Sequence, residues 1–112
     1  MKKFFTTAAV LLIVSQLAAF TAFDKGKWQA DIVVPDKPGQ AEEFAVKELK
    51  YHLTKATGVE INVVKESEKS TLPYHFFVGN TSAAKAAGID KAKLAMDTRI
   101  VKTVSNGIIF IG

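Results

Sequence analysis

From Gln40 the chain takes up helical period between two β-branched runs, and that one stretch fixes the class of fold. Ala41, Phe44, Ala45, Leu49, Leu53 and Ala56 recur at spacings of three and four, giving a single apolar stripe. Glu42 and Glu43 stand in the first turn, where the helix dipole favours acids, and Lys47, Lys50 and Lys55 follow, with Glu43 and Lys47 four apart. Gly58 is placed to end the helix in a left-handed conformation. A helix with one apolar stripe needs a surface to lie on, and the flanking segments supply a sheet.

On its N-terminal side Asp24 to Gln29 is a polar lead-in with Trp28 folding back as a plug. Asp31-Ile32-Val33-Val34-Pro35 then reads as a short buried strand ended by proline, and Asp36-Lys37-Pro38-Gly39 as a turn. After the helix, Val59 to Lys65 alternates and then becomes doubly apolar, as a strand does. Glu66 to Pro73 is a charged, Ser/Thr-rich surface loop. Tyr74 to Gly79 is apolar on both faces and so belongs in the middle of a sheet.

Asn80 and Thr81 cap a short helix, Ser82 to Ala87, closed by Gly88, and Ile89 to Asp97 is irregular or a single helical turn. Arg99–Val104 and Ile108–Ile111 form a hairpin about Asn106-Gly107, a pair suited to a type I′ turn because both of its positions need positive φ. The expected fold is α/β, an α+β sandwich: a mixed sheet of about five strands with one long and one short helix packed on it. The final run is apolar and has nothing after it in the sequence to pair with or cover it. That predicts a front piece of a larger protein, aggregation-prone along this edge.

The first residues stand apart from this domain. Lys2 and Lys3 precede twenty uncharged residues, Phe4 to Phe23, with an apolar centre at Ala8 to Val14 and small residues at Ala18, Ala19, Thr21 and Ala22. This is the layout of a secretory signal peptide, residues 1–22, cut after Ala19 or Ala22. Ser15, Gln16 and Thr21 argue against an uncleaved membrane span. Without Lys2 and Lys3 the 15 basic residues become 13 against 11 acids, a formal charge of +2, with no basic stripe of the kind that binds nucleic acid. The chain has no cysteine, so an exported domain of this sequence is held by its core alone, without disulfides or thiol chemistry.

Chemistry is sparse. Glu48 and His52 lie one helical turn apart and could share a metal, but no third ligand stands at a recognisable spacing. His75, beside Tyr74, reads as a sheet-surface residue. No serine sits in a G-x-S-x-G elbow. Glu42, Glu43, Glu48, Glu66 and Glu68 read as solvated acids on a helix or loop, and Asp31 and Asp36 as turn formers around the first strand. Gly79-Asn80-Thr81 opening a helix invites a phosphate-cradle reading, but one glycine with no following Lys-Ser/Thr favours a simple cap. Asn80-Thr81-Ser82 also fits the N-glycosylation pattern, meaningful only in a eukaryotic secretory pathway, whereas the short Lys-Lys signal is of bacterial type. Trp28, Tyr51 and Tyr74 could stack on sugar rings if the fold brought them together. No catalytic, metal-binding or cofactor-binding residue emerges.

Taken in order, several blocks resemble one family. They are Ile32-Val33-Val34-Pro35, Ala41 to Leu53, Ala56-Thr57-Gly58-Val59, Phe76-Phe77-Val78-Gly79-Asn80-Thr81, and Ile100 to Val104 with Asn106 to Gly112. Together they resemble the N-terminal domain of α-glucuronidase-like glycoside hydrolases, which also precedes the barrel in β-N-acetylhexosaminidases. The likeness covers Ile32 to Gly112. It implies a mixed sheet with helices on one face and an accessory role over residues 23–112. It also implies a (β/α)₈ catalytic barrel of the same polypeptide after residue 112, carrying the acid/base and nucleophile carboxylates. On this reading the chain is not itself an enzyme, is exported to the periplasm, cell surface or medium, and touches the membrane only through its export signal. The alternative is a stand-alone carbohydrate-binding module. A small hydrolase would need a convergent acid or nucleophile cluster.

Overall fold

A computed structural model describes residues 22–90 and 99–111. The signal-peptide reading of residues 1–22 therefore falls outside the described residues except at Ala22, as does most of the segment from Ile89 to Asp97. The described chain runs β1 (Phe23–Asp24), β2 (Lys27–Trp28), β3 (Ala30–Val34), α1 (Gln40–Thr57), β4 (Val63–Lys65), β5 (Tyr74–Val78), α2 (Ser82–Ala86), β6 (Ile100–Val104) and β7 (Gly107–Ile111). A five-stranded sheet has the order β4-β3-β5-β7-β6. Its first four strands are parallel and β6 returns antiparallel to β7. The expected mixed sheet with one long and one short helix is what forms, with β5 at its centre.

Alternation along the strands splits the core in two. Ile32, Val34, Phe76, Val78 and Ile108 face α1, packing on Val46 and Leu53. Val33, Phe77, Ile109 and Ile111 face the other way, onto Ala84 of α2 and Ile89. The helices thus lie on opposite faces, which corrects the one-face arrangement that the family resemblance implies. The physical reason is the strand order. The chain leaves β3 through α1 towards β4, then crosses to the other side of β3 and leaves β5 through α2 in the opposite direction.

Four local readings change with the structure. The buried line of α1 is Val46, Leu49 and Leu53, whereas Phe44 is 65 % exposed and Ala41, Ala45 and Ala56 lie outside. Two apolar lines interleave on this helix, and the inner one is chosen by the β-branched strands beneath it. The strand after the helix is shorter than its alternation suggests: only Val63–Lys65 pairs with β3, while Ile61 is fully buried at the approach to it. The polar lead-in is a β-hairpin, with Lys25 and Gly26 both at positive φ. Its Trp28 packs against the α1-side core, as a plug should, and donates through Nε1 to the Val59 carbonyl at 2.8 Å.

The last correction concerns the C-terminal hairpin. Val104 pairs with Gly107, so the two loop residues are Ser105 and Asn106, and neither has positive φ. Gly107 is instead the first residue of β7, and a Cβ there would collide with the His75 carbonyl of the neighbouring strand. The glycine serves a close approach between strands rather than a type I′ turn. The edge expectation changes too. β7 is an inner strand with β5 on one side and β6 on the other, so among the described strands the edges are β6 and β4.

Candidate functional site

The connection from β4 to β5 carries no helix. Residues 66–73 leave the C-terminal end of β4 and must return to the N-terminal end of β5 on the far side of β3, over the α2 face of the sheet. A loop crossing a sheet face without a helix leaves polar groups with no regular partner, and side chains supply them. Asp31 on β3 points to this face and is only 2 % exposed. One of its oxygens accepts from the Ser70 hydroxyl of the crossing loop, and Ser70 Oγ in turn accepts the Leu72 amide at 3.1 Å. The other oxygen lies 2.7 Å from His75 Nδ1. Asp31 and His75 are register partners in the β3–β5 ladder, so the pairing follows directly from the strand alignment.

The rest of the loop is tied down in the same way. Asp36 Oδ1 accepts the Ser67 amide at 2.9 Å, Glu68 Oε1 accepts the Lys65 amide, and Glu66 Oε2 accepts the Ser82 amide that opens α2 at 2.8 Å. The Ser67 backbone amide, with the Ser67 side chain and the Lys65 charge adding to it, holds the Asp36 carboxyl below its usual range. A cleft of about 490 Å³ remains beside the loop, with Val33 and Phe77 as apolar lining and Asp36, Glu66, Ser70 and His75 among its polar groups.

This arrangement corrects the two readings that concerned Asp31 and His75. Asp31 is not a turn former and His75 is not a plain surface residue; they are a cross-strand pair, Asp31 buried and His75 partly so. Nδ1 donates to the carboxylate, which orients the ring, and the side chain is 17 % exposed. The three residue types of a Ser-His-Asp relay are present, but their order is wrong. Such a relay needs the hydroxyl on the second imidazole nitrogen, and here both Ser70 and His75 are spent on the same carboxylate. Among the described residues no hydrogen bond reaches His75 Nε2. The cluster fastens the crossing loop.

The Gly79-Asn80-Thr81 segment is a cap, as the single glycine suggested. Thr81 is the N-cap of α2, its Oγ1 accepting the Ala84 amide at 3.2 Å. The Asn80 amide, which a phosphate would need, is taken at 2.7 Å by Glu42 Oε2, while Glu42 Oε1 takes the Gly39 amide at 2.8 Å. Glu42 is consequently not a merely solvated acid, and neither is Glu66 nor Glu68. Glu48 and His52 do approach to 3.5 Å. Among the described residues no group of three or more metal-ligating side chains comes together.

Among the described residues Trp28, Tyr51 and Tyr74 do not gather on one surface. Trp28 and Tyr74 pack against the α1-side core, whereas Tyr51 stands 57 % exposed on the outer face of α1 with the Lys55 ammonium over its ring. A different surface is apolar and open. α1 packs chiefly on β3 and β5, and among the described residues Val101 of β6 and, in part, Phe110 of β7 are left open beside it. The groove between them, about 580 Å³, is walled by Phe44 and Ala45 of α1 and by Ile100, Val101 and Phe110 of the strands, with Glu48 and Arg99 among its polar lining. Val101 is 60 % exposed.

Sequence parity held a signal for the Asp31–His75 pair. Each residue precedes by two an apolar position on the α2 face, Val33 and Phe77, and that spacing puts both on one side of adjacent strands. The first-turn position of Glu42 signals its contact with the Gly39 amide, but nothing in the sequence pointed to the Asn80 amide, which comes from a loop far along the chain. No family model, no curated protein and no solved structure matches this chain.

Proposed function

We propose that the chain is the N-terminal accessory domain of an exported carbohydrate-active enzyme of the glycoside hydrolase kind. On this reading residues 1–22 are its export signal, and residues 23–112 buttress a (β/α)₈ catalytic domain of the same polypeptide without taking part in the chemistry. The observation that carries the reading is the apolar groove beside α1. Phe44, Val101 and Phe110 line a groove that suits packing against further protein. The engagement of Asp31, Asp36, Glu42, Glu66 and Glu68 with backbone amides or with each other's neighbours fits a domain whose acids hold its own loops. Tyr51 stands apart from Trp28 and Tyr74, so the three do not form the shared groove that a stand-alone carbohydrate-binding module would use.

The test is the intact mass of the native protein in its own host, detected with an antibody raised against this domain. A mass several times that of the 112-residue chain supports the accessory reading. A mass equal to the signal-cleaved chain overturns it.

A further inference from the structure

The long helix carries more apolar surface than its own sheet covers. Val46, Leu49 and Leu53 are set on the strands. A second stripe, Ala41, Phe44, Ala45, Glu48 and His52, keeps the same spacing one step round the helix and walls the groove. The opposite wall belongs to the C-terminal hairpin, with Val101 of β6, Phe110 of β7 and Arg99 just ahead of β6. Phe44 and Val101 are the two most exposed of the large apolar side chains described, and they stand on the two walls of this one groove.

The charges on the walls are of opposite sign. Glu48 on α1 has His52 at 3.5 Å, whereas Arg99 forms no ion pair among the described residues. Lys102, the one charged residue within β6, donates to the Ala87 carbonyl beside α2 at 3.1 Å and so stays out of the groove. A two-fold rotation exchanges the walls between two copies, because an isologous contact sets each surface against the other's complement. It brings the acidic helix wall of one copy onto the basic hairpin wall of the other, twice over, and apolar Phe44 onto apolar Val101 and Phe110. The groove is thus complementary to itself.

We propose that the groove is the two-fold interface of a homodimer. The α1 wall of each copy packs on the β6–β7 wall of the other, with Phe44 set on Val101 and Phe110 and with Glu48 paired to Arg99. The inference rests on the accessory reading only in taking the groove as a surface that packs on protein. It goes beyond that reading by naming a second copy of this chain as the protein that packs there.

The experiment is analytical ultracentrifugation of the protein isolated from its own host, over a concentration series, with variants made in that host. The wild-type protein is expected to be a dimer that dissociates on dilution. Val101→Asp is expected to give a folded monomer, since the side chain is exposed in the single chain. Glu48→Arg and Arg99→Glu are each expected to weaken association at least about tenfold by setting like charges together, and the two combined to recover it. A wild-type protein that stays monomeric throughout overturns the proposal. So does a dimer indifferent to Val101→Asp, or a double exchange that associates no better than the single ones. Should Val101→Asp not fold, the charge exchanges decide alone. A monomer of a much larger polypeptide removes this inference and leaves the accessory reading standing, and a dimer of signal-cleaved chains does the reverse.

Discussion

Asp31 and His75 face each other across the parallel β3–β5 ladder, joined by a 2.7 Å contact between Oδ1 and Nδ1, and the carboxylate's second oxygen holds the loop that crosses above them. A buried acid with two donors is far more costly to unpair than to keep. Asp31→Ala is expected to destabilise the domain by about 2–4 kcal/mol, because it strips the His75 ring and the Ser70 hydroxyl of their partner at once. Urea denaturation measures the loss. Limited proteolysis is expected to cut within residues 66–73 first, and a variant that unfolds without preferential cleavage there would contradict the fastening role.

The two apolar lines of α1 can be told apart by paired substitutions. Leu53 is 1 % exposed, so Leu53→Ala is expected to cost about 2–4 kcal/mol. Phe44→Ala, on the exposed line, is expected to change the stability of the isolated domain by no more than about 0.5 kcal/mol. Equal losses at both positions would place the buried face elsewhere.

Gly107 and Asn106 separate close approach from turn conformation. Gly107→Ala puts a methyl group into the His75 carbonyl and is expected to cost on the order of 3 kcal/mol. Asn106→Ala is expected to be nearly neutral, since Asn106 does not occupy a positive φ. Thermal melts of the two variants decide the matter, and a large loss at Asn106 would restore the type I′ turn.

Acid sensitivity has one assignable component. The Asp36 carboxyl is held below its ordinary value by the Ser67 amide. Its folded-state affinity for a proton is thus lower than in the unfolded chain, so its contribution is fully present above the ordinary aspartate range. The contribution is lost as pH falls through the lower folded value. Asp36→Asn is expected to reduce the pH dependence of stability on that acid limb and leave the neutral limb's slope unchanged. A pH series of denaturation midpoints reads this directly.

The elements of the fold were legible where the signal is local. The long helix, its glycine stop and the central strand follow from period and composition, because a stripe and a doubly apolar run each admit few placements. What stayed hidden depends on alignment between distant segments. Asp31 looks like a turn former until β5 lies beside β3, and Glu42 looks solvated until the β5–α2 loop arrives with its free Asn80 amide. Gly107 misled for a related reason. Asn-Gly carries a strong local preference, but the packing of β7 on β5 outweighed it, and the turn moved back by one residue.

The position of β7 bears on how the chain can acquire its structure as it is made. This strand is the last to leave the ribosome among those described, yet it supplies the β5 ladder on one side and the β6 ladder on the other. Until it emerges, β6 has no place in the sheet and the flank of β5 is open. The sheet is therefore completed only once β7 has left the ribosome. A chain stalled with Gly107 still inside the ribosome would offer the β7-side edge of β5 to whatever chaperone or export factor waits outside.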